Sequence, residues 1–167
     1  RPPRSTLFPY TTLFRSMRET AVKILLEMIM GRSSKLYNEL YNEGLINSSF
    51  EFDYSIEENY AYSAFGGESK DPLKVKERLL EEIVYLQQNG LKMETYERIR
   101  RANKGRLVKQ LNSVDRIAHN FVSVYFKEIN MFDYMEVYDK ISFEYVNEVF
   151  REHFAADKLA MSVIKPA

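Results

Sequence analysis

Apolar residues recur with a helical period from Arg18 to Ile29, where Ala21, Ile24, Leu25 and Met28 share a face and charges fill the gaps. Gly31 closes this predicted helix, and Ser33 or Ser34 can cap the next by accepting a bond from a free backbone amide. Leu36, Tyr37, Leu40 and Tyr41 then make one face, and Gly44 supplies the left-handed conformation that ends it. The period switches to two at Phe50, Phe52 and Tyr54, which alternate with Glu51 and Asp53, and again over Tyr60, Tyr62 and Ala64. With Ile56 to Asn59 as a turn, the pair reads as an antiparallel hairpin closed by Gly66 and Gly67.

Asp71 before Pro72 is a helix start, a capping carboxylate followed by a residue whose missing amide hydrogen costs nothing at the first position. The helix runs to about Asn89, with Leu73, Leu79, Leu80, Ile83, Val84 and Leu86 inward and Gly90 as its stop. Another spans about Met93 to Leu111 and carries Tyr96, Ile99, Leu107 and Leu111. After a break at Asn112, Ser113 and Asp115, the residues Val114, Ile117, Ala118, Phe121, Val122 and Tyr125 form a further apolar stripe. A short helix near Asp133 to Lys140 precedes one that Ser142 caps and that runs to about His153. Lys158 to Lys165 contains LAMSVI and reads as a final strand ended by Pro166. The order implies an α+β fold, helices on one face of a mostly antiparallel sheet whose opening strands lie upstream of Met17.

The first residues break this pattern. Thr6 to Ser16, TLFPYTTLFRS, resembles the conceptual translation of a sequencing-library adapter, and with Arg1 to Ser5 it shows no coherent period. Residues 1–16 therefore read as a foreign, Pro-interrupted and β-prone tail, with the domain covering 17–167. No uninterrupted apolar stretch follows the basic start, so a secretory signal is not indicated.

Composition narrows the classes. About 150 residues suit one domain able to bury roughly 68–70% of its unfolded surface. The 24 basic and 24 acidic residues balance, so no global field favours nucleic acid or an anionic membrane. No apolar run reaches the roughly 20 residues that span a bilayer. The chain has no cysteine, which removes disulfides, thiolate nucleophiles and thiolate metal ligands and fits a reducing cytoplasm.

The stretch from Ile24 to Gly67, ILLEMIMGRSSKLYNELYNEGLINSSFEFDYSIEENYAYSAFGG, resembles the C-terminal, substrate-side domain of the pitrilysin/insulinase family of zinc metallopeptidases. The resemblance centres on MGRSSKLYNELYNEGL, a small-residue turn leading into a helix closed by Glu-x-Gly-Leu-like residues. It implies a bacterial, cytoplasmic parent in which this domain walls a peptide chamber. Zinc, with its H-x-x-E-H motif, is expected in the N-terminal half. Here Val149 to His153 read Val-Phe-Arg-Glu-His, so Val149 stands at the first His position and no metal ligand set is expected in this chain.

The family also supplies an Arg and a Tyr that stabilise charge on the scissile carbonyl oxygen. Counting from Ser34 puts Tyr41 at the Arg position, counting back from Gly44 puts Leu40 there, and Asn47 stands where the Tyr would be. Tyr41 and Asn47 are the substrate-contact candidates; no catalytic residue is assigned, and the chain alone is expected to be inactive. Implied partners are the N-terminal half, a homologous subunit and a peptide substrate, with neither nucleic acid nor membrane.

His119 reads as a partly buried, hydrogen-bonded residue and His153 as a surface position on the last helix. The basic run Lys92, Arg98, Arg100, Arg101, Lys104, Arg106 and Lys109 alternates with Glu94 and Glu97 and reads as a solvated face or as a wall accepting acidic peptides. Alternative readings are a non-catalytic scaffold or accessory subunit of the same family, or an unrelated α+β binding module.

Overall fold

The first helix, α1 (Pro9–Met30), is apolar around most of its circumference and so becomes the axis of the molecule. Ala21, Val22, Ile24, Leu25, Leu26, Ile29 and Met30 are all buried, a wider apolar surface than the single stripe read from the sequence. The computed structural model describes residues 9–56, 60–125, 133–155 and 159–165.

Helix already covers residues 9–17, ahead of the Arg18 start read from the periodicity. A helix nucleated by a packed core extends cheaply beyond the apolar period that anchors it. Arg15 donates from Nη2 to the Ile56 carbonyl at 3.2 Å. Ser16 is buried. The β-prone tail is thus replaced, over residues 9–16, by helix.

Around α1 pack α2 (Lys35–Asn42), the strand β1 (Glu51–Ile56), α4 (Met93–Gln110), α6 (Asp133–Lys140) and α7 (Phe143–His153). Antiparallel to β1 runs β2 (Ala61–Gly66), in the register Phe52↔Phe65, Tyr54↔Ser63 and Ser55↔Tyr62. An isolated bridge, Ile46↔Ser69, continues the pairing at the open end of the hairpin. The expected turn at 57–59 lies outside the described residues. The α+β class holds, with a two-stranded antiparallel sheet carrying helices on one face.

Asp71 caps α3 (Pro72–Asn89), its carboxylate accepting from the Lys74 amide at 3.1 Å, and α3 leans on α2. Only a narrow stripe, Val75, Leu79 and Ile83, is buried. Leu73 (69% exposed) and Val84 (43%) point outward, correcting the inward assignment, because α3 meets the body along one line of contact. In α4 the buried residues are Tyr96 and Ile99. The stripe of α5 (Val114–Tyr125) is also more open than its period implies: Val114 (81%), Phe121 and Val122 are exposed.

Ser142 caps α7 by accepting from the Tyr145 amide at 3.1 Å, and Val146, Val149 and Phe150 enter the core. Residues 159–165 form no regular strand, and the side chains from Leu159 to Lys165 are exposed. The final strand is therefore corrected: strand propensity is realised only through a ladder partner, and neither β1 nor β2 supplies one.

Candidate functional site

The segment that carries the family resemblance is a helix stop followed by a braced loop. Ser34 Oγ accepts from the Tyr37 amide at 3.2 Å, which starts α2. Gly44, at φ 67°, turns the chain so that Leu45 and Ile46 bury their side chains. Arg78 of α3 donates to Glu39 at 2.6 Å and to Glu43 at 3.0 Å, fastening the end of α2. Its guanidinium holds the Glu43 carboxyl below the usual carboxylate range.

The two substrate-contact candidates lie on either side of this turn and have different surroundings. Tyr41 is half exposed and stacks on Tyr37 with ring centroids 6.1 Å apart. Asn47 organises the loop before β1. Its Oδ1 accepts from the Ser49 amide at 2.8 Å and the Ser49 hydroxyl at 2.6 Å, an Asx-type turn. Its amide donates to Glu68 at 2.7 Å, tying the start of the hairpin to its end.

On the helical face of the hairpin, the alternation of β1 and β2 places Tyr54 and Ser63 side by side. His153, at the end of α7, reaches them: Nε2 lies 2.6 Å from Ser63 Oγ, and the ring meets Tyr54 edge-on at 5.6 Å. Glu152 accepts from Arg18 of α1 at 2.9 Å. Burial raises the Tyr54 phenol, with Arg18 opposing the shift. His153 is thus partly buried and bonded, a correction to the surface position read from the sequence. Period-two counting from either strand was the available signal for the Tyr54–Ser63 face; nothing in the sequence linked it to residue 153. The side chain of His119 lies outside the described residues.

These residues do not fit a zinc centre. His153 Nε2 is engaged by Ser63, Glu152 by Arg18, and Val149 is a buried core residue where a first His ligand would stand. Among the described residues there is no group of three or more His, Cys, Asp or Glu that could hold a metal ion.

The basic run on α4 serves largely as bracing. Arg98 donates to Ser33, Arg100 to the Tyr138 carbonyl and Glu97, and Arg106 to Glu27 of α1 at 2.8 Å. Lys104 pairs with Asp139. An open, shallow hollow at the start of α4 is lined by Lys92, Glu94, Thr95, Glu97, Arg98 and Arg101. No described helix is long and apolar enough to cross a membrane.

The described residues leave the opposite face of the hairpin uncovered. Glu51, Asp53, Tyr62, Ala64 and Gly66 are exposed there, while α1 and α7 occupy the other side. Fold and site together define an α+β domain with a helix-free sheet face and no metal-binding constellation among its described residues.

Comparison with known proteins supplies the family. The chain belongs to the Peptidase M16 inactive domain family, whose description matches residues 8–103. It is 33% identical over 151 residues to a Bacillus subtilis (strain 168) protein named uncharacterized zinc protease YmfH, covering 89% of this chain and 34% of that protein. The crystal structure of an M16-like peptidase from Alicyclobacillus acidocaldarius is similar with a TM-score of 0.80 and 25% identity, over 86% of this chain and 34% of the other. The chain therefore spans about a third of the length of these relatives. The insulinase-family resemblance read from Ile24 to Gly67 is borne out.

Proposed function

We propose that residues 17–167 act as the substrate-side, non-metal wall of an insulinase-type zinc peptidase, and that residues 1–16 are foreign to it. The observation that carries this reading is a helix-backed hairpin whose outer face the described residues leave uncovered, in a domain where His153 and Glu152 are already bonded to Ser63 and Arg18. A sheet backed by helices on one side can offer its other side to a peptide held extended. Zinc and the hydrolytic chemistry then belong to the N-terminal half, and a homologous subunit can complete the enclosure. Tyr41, with an exposed phenol, and Asn47, with its amide near the hairpin entry, are the substrate contacts in this reading. The parent is bacterial and works in the cytoplasm.

The test is reconstitution. The chain alone, a metal-bearing half alone, and the two together are assayed on a quenched peptide, with zinc binding to the chain followed by calorimetry. Hydrolysis by the pair only, and no stoichiometric micromolar zinc uptake by the chain, supports the reading. Zinc binding or peptide hydrolysis by the chain alone overturns it.

A second reading, a non-catalytic scaffold or accessory subunit, is favoured by the residues at the family's Arg and Tyr positions, here Tyr41 or Leu40 and Asn47. The upstream coding sequence separates the two: an intact H-x-x-E-H motif supports the peptidase, its loss the scaffold.

A further inference from the structure

We propose that the helix-free face of the β1–β2 hairpin binds an extended peptide that carries lysine or arginine at alternate positions. The inference rests on the reading of this domain as a peptide-contacting wall and assigns the class of peptide.

Charge is the first observation. The whole chain is balanced, yet residues 50–69 contain Glu51, Asp53, Glu57, Glu58 and Glu68 and no lysine or arginine. The register then sorts these groups. Phe52, Tyr54 and Ile56 pair with Phe65, Ser63 and Ala61 on the helical side, so Glu51, Asp53 and Ser55 stand on the other side opposite Gly66, Ala64 and Tyr62. Arg15 and Arg18 approach the hairpin from α1, on the helical side, where Arg15 is bonded to the Ile56 carbonyl and Arg18 to Glu152.

Shape is the second. The carboxylates of β1 face the smallest residues of β2, and open space lies beyond the Gly66 Cα where a Cβ would be. The result is an open strip on which Ala64 and Gly66 form a small-residue floor with Glu51 and Asp53 along one side. At its end Tyr60 (60% exposed) and Tyr62 (54%) stack with centroids 6.3 Å apart. An aliphatic lysine or arginine stem can lie on the small floor and against the Tyr62 ring while its cation meets a carboxylate. Glu51 and Asp53 are alternate residues of one strand, so their side chains repeat at roughly 7 Å, the spacing of alternate side chains in an extended peptide. The match is therefore to cations at positions i and i+2.

The experiment titrates the labelled chain with an unstructured peptide bearing alternate lysines and with its glutamine counterpart, following backbone amide shifts. The lysine peptide should shift amides of β1 and β2 and bind about tenfold more tightly than the glutamine peptide, the preference shrinking with added salt. Glu51→Gln with Asp53→Asn should abolish the preference, and Tyr62→Ser should weaken binding of the lysine peptide about threefold. Glu51→Lys with Asp53→Lys should transfer the preference to a peptide with alternate glutamates, a gain that loss of folding cannot produce. Equal binding of both peptides at the hairpin overturns the charge selection while leaving the peptide-contact wall standing. Binding of neither peptide overturns both, and shifts confined to the hollow at the start of α4 overturn the assignment to the hairpin.

Discussion

His153 Nε2 lies 2.6 Å from the Ser63 hydroxyl, so the last turn of α7 is bonded to the middle of β2 across 90 residues of chain. The contact sits on the helical side of the hairpin, beside Tyr54, and fixes which face of the sheet the helices cover. A bond of this kind between partly buried side chains contributes about 1 kcal/mol net. Ser63→Ala and His153→Ala should each lower the unfolding free energy by about that amount in urea titrations, and the double variant should cost less than the sum. Additive losses would show that the two side chains do not act together.

Gly66 and Gly67 are neighbours with opposite tolerance. A Cβ on Gly67, at φ 154°, would stand 2.5 Å from the Phe50 Cα and 2.9 Å from its amide nitrogen, whereas one on Gly66 meets nothing within 4 Å. Gly67→Ala should destabilise the protein by about 2 kcal/mol or more, because backbone must move. Gly66→Ala should stay within about 0.5 kcal/mol of the parent. Thermal melts of the two variants side by side check the contrast.

The phenol of Tyr96 donates to the Ile141 carbonyl at 2.7 Å in a buried setting, joining α4 to the loop before α7. Tyr96→Phe keeps the ring but leaves that carbonyl without its donor. The expected loss is about 1–3 kcal/mol, measured by denaturant unfolding, with little change in helical circular dichroism.

Burial pushes the Tyr138 phenol up from 10.0 to about 12, with Glu27 and Glu19 adding to the shift and Arg106 opposing it. A raised acid favours the neutral form in the folded state, so its contribution is fully present below pH 10 and is lost as pH rises through about 12. The amount is roughly 2–3 kcal/mol. Burial raises Tyr54, Tyr96 and Tyr145 in the same direction. Stability should therefore fall steeply in that alkaline window, and Tyr138→Phe should flatten the fall. Tyrosinate absorbance and unfolding monitored together would sink the idea if Tyr138→Phe left the profile unchanged.

Local signals were legible wherever a residue's effect ends within a turn or a strand. Ser34, Asp71 and Ser142 cap their helices as their positions implied, because each oxygen needs only an amide a few residues away. The hairpin alternation held for the same reason, since the side-chain period of a strand is intrinsic to the backbone. Asn47 was legible as a position but not as a loop brace, because its partner Glu68 is supplied by the far end of the hairpin.

By itself the sequence determined the periods, the caps, the family pattern from Ile24 to Gly67 and the missing first His of the metal motif. Tertiary structure decided which apolar stripes find a neighbour: α1 is enclosed on most sides, while Leu73, Val114 and residues 159–165 keep exposed surface. It also decided the fate of His153 and the isolation of Glu51 and Asp53 on a helix-free face. The physical reason is that burial and charge pairing depend on what the rest of the chain brings alongside. Periodicity names a face, and only packing says whether that face is covered.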